Sequence, residues 1–273
     1  MLKKNILNLV LLIFVFALAT IIYFSEEKNT DLEKLSKTKA DHIHSITIQH
    51  NQNTTTLLRA ADGHWQITQP VSIAANDFRI NSLLKLINAP IHNQYSTNEI
   101  DLKKIGLDKP ASIIRFNDES IAFGITNPAT NLRYVKKGDR IYTIEDVYYP
   151  LLSASFGALV SLNLLPANSE ITKLILTNQT ISKDEKGRWQ SNIDISADNI
   201  NKTIKHWQHD QAFGVHTYMQ RDSLGEVFVY IKDQPPISFL VTDTDPWLIL
   251  ARPELGLEYH LDVEAYNNLI TPQ

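Results

Sequence analysis

Three groups of residues in this chain have the types and spacing to do chemistry. His206 and His209 stand three apart, with Asp210 adjoining. On a helix that spacing puts both imidazoles on one side, where a third ligand could complete a metal site. No further ligand falls in register, so they read as solvated polar positions and no metal is expected. His42, His44 and His50 share the parity of Ile46 and Ile48. As strand positions they would line one face, and exposed histidines on an edge strand are the plainer reading. His64 falls on the opposite side of its strand from Trp65 and is expected in solvent. Asp243 and Asp245, in "VTDTDPW", could share a proton or hold a cation, but an Asp before Pro246 is also ordinary turn chemistry. Cysteine is absent, which excludes a disulfide framework and a thiolate metal site. The chain has no G-x-S-x-G elbow and no glycine-rich phosphate loop, so neither acyl transfer nor nucleotide binding has support. No catalytic, cofactor-binding or metal residues are assigned, no cofactor is expected, and the chain reads as a non-enzyme.

The aromatic signal is different in kind. "DGHWQITQP" and "EKGRWQSNI" each carry Gly-x-Trp-Gln, at Gly63, Trp65, Gln66 and at Gly187, Trp189, Gln190. Either indole could stack a sugar ring. A Trp on a strand facing an amphipathic helix more often anchors a core. Both are expected to be largely buried, Trp65 against a helix from Ile80 to Ile87 and Trp189 against one from Ile200 to Trp207.

The elements that would position these residues follow from periodicity. Ile46 and Ile48 alternate with polar neighbours, "TTTLLRA" and "HWQIT" follow, and Asp62-Gly63 supplies a turn. Asn76 can cap a helix whose Ile80, Leu83, Leu84 and Ile87 form one apolar face. "TNEIDLKKIGLDKP" reads as a short helix ended by Gly106. Strands are expected at 112–116, 121–125, 133–135 and 141–144, then a short closing helix in "EDVYYPLL". Gly124 reads as a strand-end turn. The second half repeats the order, with Asp198 as helix cap and Ile200, Ile204 and Trp207 at helical spacing. The offset between matched positions shrinks where the second copy lacks the short helix. The expected fold is α+β: two tandem related halves, each a mostly antiparallel sheet with a packed helix. The first spans residues 43–156, an apolar connection 157–170, and the second 171–273.

The N-terminus carries the strongest compositional signal. From Ile6 to Phe24 only Asn8 and Thr20 are polar, and 19 helical residues span about 28 Å, close to the hydrocarbon thickness. Lys3 and Lys4 precede the run, and Glu26 and Glu27 follow it. The positive-inside bias predicts a cytoplasmic tip at residues 1–5, an inner-membrane span and a periplasmic body behind a stalk at residues 25–42. Ala17-Leu18-Ala19 has the form of a signal-peptidase site. The apolar run continues beyond it, which favours an uncleaved anchor. The formal net charge of −4 and the lack of a basic stripe argue against nucleic acid as partner.

"WQITQP" from Trp65, "AANDFRINSLLKLI" from Ala74, "GLDKP" from Gly106, Phe123-Gly124 with Asn127-Pro128, and Arg133-Tyr134-Val135 resemble the bacterial domain-of-unknown-function 4340 family. The resemblance covers roughly residues 43–152, with a weaker echo beyond. It implies one N-terminal span and an extracytoplasmic body, in some members beside transport or gliding components. It implies no catalytic residues. The expected role is a scaffold or accessory protein of an envelope or transport complex, with a protein partner. The alternatives are a small-ligand or glycan module using the cleft between the halves, and an envelope hydrolase.

Overall fold

The computed structural model describes residues 11–18, 20 and 32–272. They form two antiparallel sheets with a few helices, an α+β architecture. The first half contains β1 (Ser45–His50), β2 (Asn53–Arg59), β3 (Trp65–Gln69), β4 (Ile73–Ala74), α1 (Asp77–Leu84), β5 (Asn93–Ser96), β6 (Ser112–Phe116), β7 (Glu119–Thr126), β8 (Leu132–Lys137), β9 (Arg140–Glu145) and α2 (Tyr149–Ser153). The second contains β10 (Ile171–Ile175), β11 (Thr180–Lys183), β12 (Trp189–Ser191), α3 (Ala197–His209), β13 (Gly214–Thr217), β14 (Gly225–Ile231), β15 (Ile237–Asp243), β16 (Trp247–Arg252), β17 (Leu257–Asp262) and α4 (Ala265–Leu269).

The strand orders are 4-3-2-1-6-7-8-9-5 and 12-11-10-14-15-16-17-13. Leaving β4 aside, the two orders coincide. Each sheet joins a three-strand meander to a four-strand meander, and the strand after the helix closes the far edge. Local chemistry produces this. Gly63 and Gly187 hold positive φ in matching turns, where Gly63 N–H donates to Ala60 and Gly187 N–H to Asp184, a conformation that glycine adopts without Cβ strain. Asn76 accepts from Arg79 N–H at 3.1 Å and starts α1. The cap of α3 is Ser196, which accepts from Asn199 N–H at 3.2 Å, rather than Asp198. Asp198 lies inside the first turn, where its charge suits the helix N-terminus. Ile200, Ile204 and Trp207 face inward, and the Trp207 indole donates to the Leu269 carbonyl at 3.0 Å, tying α3 to α4.

Three further expectations are corrected. Residues 97–107 form successive turns, not a helix. The sheet takes the carbonyl a helix would need: Ile125 N–H donates to Ile105 O at 2.9 Å. Gly124 is accordingly no strand-end turn. It sits within β7, and a Cβ there would stand 2.2 Å from Ile105 O. Ile105 and Leu107 pack with Ile141 as a small separate core. Likewise β1 is central, between β2 and β6, so His50 lies on no edge strand, and His42 and His44 precede the strand.

The halves share one continuous hydrophobic core, from Ile46 and Trp65 to Trp207 and Tyr259. Residues 156–165 stitch it. Asn76 N–H donates to Leu159 O, Ser161 N–H to Ala74 O and Ala212 N–H to Leu162 O, all within 2.9 Å. Leu159, Val160, Leu164 and Leu165 are buried. The connection is therefore a structural strap, buried as its apolar sequence suggested.

The stretch expected as a stalk is described from residue 32, and there it runs along the first half. Leu35 N–H donates to Ala89 O, and Ser36 and Thr38 bond the Glu119 carboxylate. Residues 11–18 are helical, and Leu11 to Phe16 are 54–68% exposed. Among the described residues no helix is long and apolar enough to cross a membrane. Most of the segment from Ile6 to Phe24 lies outside them.

Leu159→Ala should cost about 2–5 kcal/mol and leave a single cooperative unfolding transition. Urea titrations followed by tryptophan fluorescence and circular dichroism test this. Two separate transitions in the wild type would sink the shared-core account.

Candidate functional site

A cleft of about 580 Å³ opens where β3 and β4, the strap and the β16–β17 corner meet. That is within the usual range for small-molecule sites. One wall is built by the first Gly-x-Trp turn. Asp62 accepts from His64 N–H at 3.0 Å, and Gly63 in its left-handed conformation turns His64 outward. Asp77 opens α1 one residue after its cap. Its carboxylate accepts from Trp65 N–H at 3.0 Å, while His64 Nδ1 lies 2.5 Å from its other oxygen. The Trp65 indole is 3% exposed and lines the cleft. Arg252 and Tyr259 stand on the second-half side, with Arg252 Nε donating to Glu254 at 2.9 Å. Leu164, Leu165 and Pro166 come from the strap.

The hydrogen bond to Asp77 raises the His64 pKa above its ordinary 6.5, with the charges of Asp77 and Asp62 adding to it. The site thus presents an imidazole on a fixed carboxylate, its Nε2 free of protein partners among the described residues. It can donate to or accept from a bound molecule. Burial raises the Tyr259 phenol.

A second constellation lies on the face of β16 and β17 away from the core. Glu258 is 1% exposed. Its carboxylate takes two 3.0 Å bonds from the Arg221 guanidinium and one from Met219 N–H, and His260 Nε2 lies 2.9 Å away. Burial works to raise the Glu258 pKa. The bonds from Arg221, Met219 and His260 outweigh it and hold the group below the ordinary carboxylate value. His260 also packs at a tilt against His216, with ring centroids 4.5 Å apart. Burial lowers the His216 pKa, and His260 lowers it further.

The residues singled out in the sequence are mostly kept apart. His206 Nδ1 pairs with Asp210 at 2.9 Å and His50 Nδ1 with Ser112 at 2.6 Å; His42 and His44 are exposed. No group of three metal-ligating side chains occurs among the described residues. Asp243 accepts from Thr244 and Asp245 N–H groups, which is turn chemistry. Trp189 is only half-buried, with Lys183 Nζ 5.2 Å from its ring, because β12 is the sheet edge. Sequence reading missed the His64–Asp77 pair, although a cap followed by an acid pointed to where Asp77 sits. It also missed Glu258, whose parity in β17 opposes the buried Leu257 and Tyr259. Only the chain carrying Met219 and Arg221 buries it.

Asp77→Asn should return the His64 pKa toward 6.5, read from its imidazole NMR resonances. In the wild type the pair stabilises the fold fully below pH 6.5 and loses that contribution as pH rises through the higher folded value. Equal titration in both proteins would refute the pairing. Arg221→Met removes the guanidinium from a buried carboxylate, leaving only Met219 N–H and His260 on it, and should cost about 3 kcal/mol at pH 7, the low end for a buried pair, since the arginine side chain keeps 24% exposure. The Glu258 contribution is present above the ordinary carboxylate pKa and fades as pH falls through its depressed value. The variant's deficit should therefore narrow in acid, and a pH-independent deficit in denaturation midpoints would contradict this.

No curated protein and no solved structure matches the chain. The family model described as "Domain of unknown function (DUF4340)" matches residues 65–212. That match starts at Trp65 and runs through the strap and α3, further into the second half than the residues quoted above. It covers more than half of the 273 residues, and the chain belongs to this family.

Proposed function

We propose that this is a membrane-anchored scaffold or accessory protein of an envelope or transport complex, with a periplasmic body and no reaction of its own. The observation that carries this reading is the strap. Residues 156–165 bond to both halves, and Leu159, Val160, Leu164 and Leu165 are buried in a shared core, so the body lacks the free hinge on which two-lobed ligand clamps close. A rigid body suits docking. The ionised groups also serve the fold. Glu119 is held by Ser36, Thr38 and Lys137, Asp146 by Arg133 and Thr126, and Glu258 by Arg221. Anchoring is supported by the apolar run from Ile6 to Phe24 between lysines and glutamates, with residues 11–18 helical and all apolar. The coincident strand orders, with Gly-x-Trp-Gln opening the third strand of each half, support a tandem duplication.

A second reading has one observation in its favour. The 580 Å³ cleft brings His64, Asp62 and Asp77 from one half toward Arg252 and Tyr259 of the other. Such a site suits a small polar ligand with an apolar body.

Crosslinking of the full chain in native bacterial membranes should trap one reproducible envelope partner. A periplasmic-only reporter fused at the C-terminus should be active. A chain that stays uncrosslinked beside envelope complexes that are trapped under the same conditions would defeat the scaffold reading. Reporter activity confined to the cytoplasm would reverse the orientation.

A further inference from the structure

The outer face of the second sheet carries a feature that neither core nor cleft uses. Phe213 and Trp247 are 48% and 45% exposed, yet their rings meet edge to face at 5.6 Å. Large aromatic side chains left open together are costly in water, and contiguous apolar surface of this kind marks contact sites. The pair is also held in place. Phe213 N–H donates to His260 O at 3.0 Å. The His260 ring backs both aromatics, at 6.2 Å from Phe213 and 6.0 Å from Trp247. His260 is in turn set by Glu258, which Arg221 and Met219 fix. The buried ion pair thus orients a surface platform.

The unpaired carboxylates lie beside the platform. Asp262 is the register partner of Trp247 across β16 and β17, so their side chains leave the same face side by side. Asp262 and Glu264 line an adjoining hollow of about 420 Å³ with Asp210 and His209, and no lysine or arginine lines it. Both acids are exposed, and neither has an ion pair or side-chain hydrogen bond among the described residues. Asp245, two residues before Trp247, is likewise unpaired.

An indole face beside unpaired carboxylates matches one side chain above others. A guanidinium stacks flat on an aromatic ring while its edge pairs with carboxylate oxygens. We infer that Phe213, Trp247 and Asp262 form a docking surface for an arginine-bearing segment of a partner polypeptide, with an apolar neighbour of that arginine packing on Phe213. The inference rests on the scaffold reading, and it supplies the surface and the partner's chemistry.

The test uses the full chain in detergent and two labelled octapeptides. One has two arginines flanking a leucine, and its counterpart has glutamates in their place. Fluorescence anisotropy should show binding of the arginine peptide, several-fold weaker in high salt, and none of the glutamate peptide. Trp247→Ala and Asp262→Lys should each weaken it by about tenfold, while Trp247→Phe, which keeps a ring, should retain most of it. Asp262→Lys changes an exposed strand position, so it answers even if Trp247→Ala fails to fold. Equal binding of the two peptides, or unchanged binding by Asp262→Lys, would overturn the proposal. Crosslinking in native membranes separates the two levels. A partner still trapped by the Asp262→Lys chain keeps the scaffold reading and removes this surface from it.

Discussion

Backbone N–H groups of Asn76 and Ala212, one from each half, donate to carbonyls three residues apart on a single strap, at Leu159 and Leu162. That shared acceptor segment is the constraint on which the body depends. A buried backbone must satisfy its polar groups, and the strap does so by borrowing from both halves at once. Its Leu159, Val160, Leu164 and Leu165 side chains then enter the shared core. The cleft follows from the same arrangement, because the strap sets the distance between the His64 wall and the Arg252 wall.

Charge plays a different part from apolar area. The sheets meet through isoleucine, leucine, valine and tryptophan, at about 25 cal/mol per Å² of apolar surface removed from water. Ionised groups act where a loop must be held to a sheet. Glu119 receives Ser36 and Thr38 from the incoming chain, and Glu258 receives Met219 and Arg221. Each sits on a strand and gathers donors from elsewhere in sequence. Such pairs contribute less net stability than well-packed carbon of similar volume, but they impose one geometry. At Glu258 that geometry extends to His260 and the rings above it.

The meanders were legible in the sequence because alternation and glycine turns are local signals: Ile46 and Ile48, the Gly63 turn and the four strands from Ser112 onward all appear where their patterns place them. The Asn76 cap was legible for the same reason. Asp198 misled because Ser196, two residues earlier, is an equally good acceptor, and the chain enters the helix there. The turn region at residues 97–107 misled more instructively. Its stop at Gly106 is real, with a positive φ, but Gly124 lets the chain approach β7 closely enough for Ile125 to take the Ile105 carbonyl. A contact between positions 20 apart has no signature in a local window. The cleft was invisible in the same way: His64 and Asp77 share a turn-to-helix unit, but Arg252 reaches them only through the tertiary fold. Trp65 and Trp189 show what internal similarity can and cannot carry. It located both strands correctly, but the extra strand β4 covers the first and nothing equivalent covers the second.

The strap also dictates an order of events during synthesis. The first half includes β4 and α1, whose bonds at Ala74 and Asn76 wait for residues 159 and 161. The next strap carbonyl, at Leu162, is taken only when Ala212 arrives. An emerging chain can form its first meander early, through local pairings. Its core stays open along one side until much of the second half has emerged. Closing such long loops costs chain entropy before any contact repays it. The half-made protein therefore exposes apolar core surface for as long as the remainder takes to appear. That interval, rather than the finished fold, is where a chaperone would be needed.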